Sequence, residues 1–178
     1  MLLPYEDVEL YRPTINDQEM HHLKQFLYNI YKQCPNKDDI AFICIGTDQS
    51  TGDSFGPLTG TMLKALGFSH VYGTLQSPCD AYSIEKLTLE IKDLNKVIIA
   101  IDACLGLEKS VGKFIYADEP LQPGSATGRR LPAVGDYSIA GVININGPKA
   151  YWKIQNTSLL HVLSMVNTLQ LAIKDIWK

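Results

Sequence analysis

The sequence predicts an α/β protein, a three-layer α/β/α sandwich built on a mainly parallel sheet. Short apolar, β-branched runs at 40–45 and 96–101 stop abruptly in small and acidic residues, as buried parallel strands do on entering a loop. Around them lie stretches with apolar residues at three-to-four spacing, the period of amphipathic helices. The two kinds of stretch alternate along the chain, as in β-α-β units sharing one sheet. With 178 residues, 46% of them hydrophobic and 20% charged, the chain is long enough for one well-buried core, so residues 1–178 read as a single domain.

Residues 1–16 read as an extended leader. Asn16 and Glu19 then stand at capping-box spacing ahead of Met20, Leu23, Leu27, Ile30, Tyr31 and Cys34, predicting a helix over 17–34 that Pro35 ends. The α/β core follows over 40–178. Its first strand is 40–45, and Leu58, Met62 and Leu66 predict a helix over 54–66 with Pro57 in its first turn and Gly67 as its stop. A strand at 70–75, a helix at 82–94 capped by Ser83, and a strand at 96–101 complete two β-α-β passages. Shorter strands are predicted at 113–116 and 139–145. The aperiodic connection 118–138 between them is long enough to be a candidate lid. A last helix starts at Asn156 or Thr157 and carries the stripe Leu159, Val162, Leu163, Val166, Leu169, Ile173 and Ile176.

Composition narrows the function. A net charge of −3 without charge blocks gives no footprint for nucleic acid or an anionic membrane. The N-terminus has acidic residues where a signal peptide needs basic ones, and no segment reaches the length of a membrane span. Cys34, Cys44, Cys79 and Cys104 lack C-x-x-C spacing, as in a reduced, cytoplasmic protein. The partner class that remains is a protein, a peptide or a small molecule, with a homo-oligomer left open.

Two aspartates stand out. Asp53 lies in the loop after the first strand, and Asp102 directly follows Val-Ile-Ile-Ala-Ile. In open α/β sheets chemistry collects beyond the carboxyl ends of the strands, so carboxylates delivered there by separate strands can face each other across one crevice. Two close carboxyl groups do not both ionise easily; one can take a proton from water while the other gives one, which suits peptide-bond hydrolysis without a covalent intermediate. The competing structural reading of Asp53 is a carboxylate at the start of the next helix, and of Asp102 an acceptor for loop N–H groups.

Other residues carry weaker signals. Gly52-Asp53-Ser54-Phe55-Gly56 fits G-x-S-x-G and offers Ser54 as a nucleophile, but Ser54 comes late after the strand, and downstream histidines are confined to His70 and His161. Cys104 has no histidine placed to generate its thiolate. Asp48, Asp53 and Asp102 form no metal signature with the few histidines present, so neither a metal nor a cofactor is expected. The loop 123–130 has glycines and arginines but lacks the strand-loop-helix setting of a phosphate loop.

Three motifs occur in order: G-T-D-x-S-T-G-D-S-x-G-P-L from Gly46, I-D-A from Ile101, and P-G-S-A-T-G from Pro123. Over 40–168 they resemble the YyaC-type sporulation proteins, described as spore proteases, which are similar to the germination protease of spore-forming bacteria and, more distantly, to the hydrogenase maturation proteases. The resemblance implies a phosphorylase/hydrolase-like α/β/α fold. It places Asp53 and Asp102 at essential acidic positions, and sets the glycine-rich loop with Gly124, Ser125 and Gly128 beside the active site. Thr51-Gly52 here replaces Thr-Pro before the acidic residue, and the histidine of metal-bound recognition in the maturation proteases has no counterpart, so nickel-directed maturation is not implied.

The expectation is a cytoplasmic peptidase of sporulating cells with Asp53 and Asp102 catalytic, Asp48, Ser54, Gly124, Ser125 and Gly128 contacting substrate, and spore proteins as the substrate class. The alternative is a non-catalytic peptide-binding or regulatory protein on the same fold.

Overall fold

The computed structural model describes residues 12–80, 82–91, 95–124 and 131–178. The elements are α1 (Asp17–Tyr31), β1 (Ile40–Cys44), α2 (Phe55–Ala65), β2 (His70–Tyr72), α3 (Ile84–Ile91), β3 (Val97–Gly106), β4 (Phe114–Ala117), β5 (Tyr137–Ile145), α4 (Ala150–Gln155) and α5 (Leu159–Ile176). The leader residues 1–11 and the loop residues Ser125 and Gly128 lie outside the described residues.

The five strands form one sheet in the order β2-β1-β3-β5-β4, with β1 parallel to β2 and β3, β3 parallel to β5, and β4 antiparallel to β5. The chain leaves β1 through α2 to reach β2 on one side, then passes through α3 to reach β3 on the other. The strand order therefore reverses at β1/β3, and a crevice opens between their carboxyl ends.

Alternation along the strands sorts the core into two faces. Ile40, Phe42 and Cys44 of β1, with Ile99 and Ile101 of β3, pack with Leu23 and Leu27 of α1, Leu63 of α2 and Val166 and Leu169 of α5. Ile43, Ile45 and Ala100 point the other way, toward Ile84 and Ile91 of α3. Leu121 and Val134, from the two ends of the long connection, join this second face and pair through backbone hydrogen bonds of 2.8 and 2.9 Å. The described ends of the candidate lid are thus fastened to the sheet.

α1 begins as its sequence predicts: Asn16 Oδ1 accepts from the Glu19 N–H at 2.9 Å, and Glu19 Oε2 accepts from the Asn16 N–H at 3.2 Å. It ends at Tyr31, three residues early. Its C-terminal end is held by the indole N–H of Trp177, which donates to the Cys34 carbonyl at 3.0 Å.

Several expectations need correction. β2 stops at Tyr72, because the left-handed Gly73 turns the chain away. Ser83 stands at the start of α3 as expected, but its side chain caps no helical N–H among the described residues: its hydroxyl donates to Asp80 Oδ1, which also accepts from the N–H groups of Tyr82 and Ser83, both at 3.0 Å, and so fixes the turn into the helix. β3 continues to Gly106 because β5 pairs with it beyond the end of β1. The final helical region is two helices: Lys149 in the left-handed region opens the short α4, and Ser158 caps α5 by accepting from the His161 N–H at 3.5 Å. Leu159, placed in the buried stripe by spacing, is 55% exposed, while Met165 and Ala172 are buried.

α2 lies close to the sheet because small residues allow it. A Cβ on Gly60 would stand 2.0 Å from the Gly73 carbonyl oxygen. Alanine is the better helix former by about 1 kcal/mol, so a loss of stability on substitution reports this contact. Gly60→Ala should cost about 3 kcal/mol in urea unfolding; a neutral or stabilising effect would show that the approach relaxes freely.

Candidate active site

The loop from Gly46 to Ser54 closes over the end of β1. Gly46 has φ +143°, and a Cβ there would lie 2.0 Å from the Asp53 carbonyl oxygen, so the chain folds back onto a residue that must lack a side chain. The Gly46 N–H donates to the Cys79 carbonyl at 2.9 Å, and Ile45 bridges to Cys79 in parallel, which ties the loop to the segment before α3. On the other side the Gly52 N–H donates to the Ile154 carbonyl of α4 at 2.9 Å, and a Cβ on Gly52 would meet the Ile143 side chain at 2.3 Å. A proline at position 52 would lose that donor and clash, which accounts for Thr-Gly in place of Thr-Pro.

These anchors hold Asp53 in a half-buried position. No backbone N–H of α2 bonds to its carboxylate; the N-cap position belongs to Ser54, which makes no side-chain cap hydrogen bond. The helix-cap reading of Asp53 is therefore not what the structure shows. Burial pushes its carboxyl above the usual carboxylate range, and the Ser50 hydroxyl works in the opposite direction. Ser50 is 6% exposed, and its Oγ has no formed hydrogen bond. It stands close enough to Asp53 to favour the charged form but short of good hydrogen-bond geometry.

Asp102 sits within β3 rather than past its end. β1 has already stopped: the last β1–β3 pair is Cys44 with Ile101, while Asp102 still pairs with Ala140 of β5. It therefore projects where the sheet has opened on one side, on the face that Ala100 shares with Ile43 and Ile45. Its Oδ1 accepts from the Ala103 N–H at 2.8 Å. Some of its surface reaches solvent, but protein surrounds the carboxyl closely enough that burial dominates. Burial pushes it up to about 8; the Ala103 N–H pulls it down, and the charge of nearby Asp53 pushes it up further.

The structure thus brings Asp53 and Asp102 into one electrostatic unit in unequal settings. Burial raises both carboxyl groups; Asp102, at about 8, keeps its proton at neutral pH, while the Ser50 hydroxyl favours the charged form of Asp53. Two thiols complete the surroundings. Cys79 and Cys104 are each pushed up to about 11, chiefly by burial, with Asp102's charge adding to it. They are neutral thiols and do not act as nucleophiles near pH 7.

The remaining predicted site residues divide. Asp48 is exposed in the same loop, and Gly124 is half-buried with φ +78° at the edge of the described part of the long connection. Ser54 is 6% exposed, and its hydroxyl donates to the Thr51 carbonyl at 2.6 Å, so it is a structural turn residue. With its hydroxyl engaged in the turn and its side chain buried, Ser54 offers little to a substrate, and the nucleophile reading, already disfavoured by its sequence context, gains no support. Among the described residues no three His, Cys, Asp or Glu side chains are placed to hold a metal ion, and no helix is long and apolar enough to cross a membrane. Ser50 and Cys79 were not expected at the site. Cys79 arrives through a single long-range bridge that leaves no periodic trace in sequence.

The fold, a mostly parallel five-stranded sheet with helices, is similar to that of a hydrogenase maturation protease. The crystal structure of the [NiFe] hydrogenase maturation protease HycI from Thermococcus kodakarensis KOD1 superposes with a TM-score of 0.54 over 85% of this chain and 98% of that one, at 19% sequence identity. The chain belongs to a family described as "Protein of unknown function (DUF1256)", which it matches over residues 13–171. It is 47% identical over 134 residues to "Uncharacterized protein YyaC" of Bacillus subtilis (strain 168), covering 73% of this chain and 65% of that relative, a little under two thirds of its length.

The raised Asp102 carboxyl has a consequence for stability. Between the ordinary value of 3.8 and about 8 the folded protein keeps a proton that the unfolded chain has released. Stability from this group is therefore complete below about pH 4 and is lost as pH rises through 8, at up to about 1.4 kcal/mol per pH unit. Asp102→Asn should flatten this fall and be more stable than wild type above pH 8 in chemical unfolding. Parallel pH profiles for the two proteins would contradict a protonated Asp102.

Proposed function

We propose that the protein is a cytoplasmic, sporulation-associated peptidase in which Asp53 and Asp102 activate water for hydrolysis of a peptide bond. The observation that carries this reading is the unequal pair of carboxyl groups at the point where the strand order reverses. In this mechanism the Asp53 carboxylate takes a proton from water as the oxygen attacks the scissile carbonyl carbon. Asp102 gives its proton to the departing amide nitrogen as the C–N bond breaks, and proton exchange restores the starting state. The likeness of the fold to a maturation protease supports a hydrolytic role, and the three ordered motifs support the link to spore proteins as substrates.

A second reading, a non-catalytic peptide-binding protein, has one observation in its favour: a cavity of about 500 Å³ lies along β2 rather than over the aspartate pair. New peptide termini, followed by mass spectrometry after incubation with an extract of sporulating cells, separate the two readings. Wild type should generate them, and Asp53→Asn or Asp102→Asn, each still folded, should reduce the rate by about 10³-fold or more. No new termini with wild type, alongside capture of a peptide by both proteins, would favour the binding reading.

Activity should also need Asp53 ionised and Asp102 protonated, giving a bell-shaped profile whose alkaline limb falls near pH 8. Ser50→Ala removes the group that favours the Asp53 carboxylate, so its acidic limb should move to higher pH while Ser50→Thr stays close to wild type. An unchanged acidic limb in Ser50→Ala would exclude that role for the hydroxyl.

A further inference from the structure

β2 is the outer strand of the sheet, and no described strand pairs with its free edge. α2 and α3, which precede and follow β2 in the chain, cover opposite faces of the sheet, so the edge forms the floor of a groove walled by one helix on each side. The cavity of about 500 Å³ occupies this groove, within the range of ligand sites. Its floor is Val71 to Thr74, and Lys64 of α2 and Lys86 of α3 stand on its two walls. It runs to Cys79, whose carbonyl accepts from Gly46 of the catalytic loop and whose thiol lies near Asp102. An unpaired edge is a template for another strand, and most exposed edges are covered or kept short. This one is only three residues long, is walled on both sides, and its groove runs as far as Cys79 without including either aspartate.

We propose that the groove along β2 is the substrate-binding channel, which holds an extended acidic segment of the peptide substrate as an added strand and directs the chain toward Asp53 and Asp102. The inference rests on the peptidase reading above. Backbone groups of β2 would supply sequence-tolerant hydrogen bonds, as in other cases of strand addition. The lysines give the preference. Lys64 has no ion pair among the described residues, and Lys86 has only an exposed 3.6 Å pairing with Glu90, which an incoming carboxylate can displace. The lining carries two lysines against one glutamate, Glu90, so its net charge is positive, and an acidic side chain on the added strand meets Lys64 on one wall and Lys86 on the other.

The test reads binding, independently of turnover. Full-length wild type and Asp102→Asn are titrated with the capped hexapeptide Thr-Val-Glu-Val-Thr-Val, with its lysine counterpart, and with a version methylated on alternate backbone nitrogens, while amide NMR signals are followed. The expected result is the same in both proteins: shifts centred on residues 70–74, at least threefold tighter binding of the glutamate peptide, and loss of binding on N-methylation. In Lys64→Glu/Lys86→Glu, two exposed wall positions, the preference should reverse. Absence of binding at millimolar peptide, shifts centred elsewhere, equal binding of the methylated peptide, or an unchanged preference in the charge-reversed protein would each overturn the channel. So would shifts at 70–74 that depend on protein concentration alone, since these would assign the edge to a second copy. Because the Asp102→Asn protein binds without cleaving, failure here is distinct from a failure to detect peptidase activity.

Discussion

The buried carboxyl of Asp102 sets the terms for the rest of this structure. A charged group there would lose most of its hydration while gaining a single N–H partner at 2.8 Å, so the proton stays on. That condition arises from topology. β1 ends opposite Ile101 and β5 carries β3 onward, which leaves Asp102 on a paired strand beside an opening. The loop that fills the opening has to approach very closely, and Gly46 and Gly52 are the residues that let it do so. Asp53 is delivered as a result of that closure. The acidic pair is thus a product of strand lengths and of two missing side chains as much as of the aspartates themselves.

The asymmetry of the pair follows first from burial, which is deeper for the Asp102 carboxyl, and then from unlike neighbours: the Ser50 hydroxyl favours the charge of Asp53, whereas the charge of Asp53 disfavours that of Asp102. Two like groups with separated protonation states are what acid and base steps need at one pH. The likeness to HycI at 19% identity is one of fold, and the chemistry proposed for this chain rests on its own residues.

Much of the fold was legible because it rests on local signals. The capping box of Asn16 and Glu19, the apolar strands and the three-to-four stripes each report a nearby physical demand, and all five strands are found where those signals lie. What was not legible depends on distant pairing. β3 runs on past Asp102 because β5 lies beside it, β2 is cut short by Gly73, and Cys79 joins the site through one bridge to Ile45. Asp53 and Asp102 were singled out from strand-end logic and a family resemblance, and the structure does bring them together. Ser54 drew notice through its G-x-S-x-G setting, whereas its hydroxyl closes the turn at Thr51. Ser50, four residues earlier, has a plain sequence context; its importance lies in burial without a partner, which only coordinates reveal.

Carbon-13 NMR of the aspartate carboxyl groups, titrated with pH in wild type, Asp102→Asn and Asp53→Asn, tests the unequal pair most directly. The account predicts one resonance that titrates near pH 8, is absent from Asp102→Asn, and moves to lower pH in Asp53→Asn, where the neighbouring charge has gone. If every aspartate of the folded wild type titrates below about pH 5, near the ordinary range, Asp102 is charged at neutral pH and the acid-base assignment is wrong.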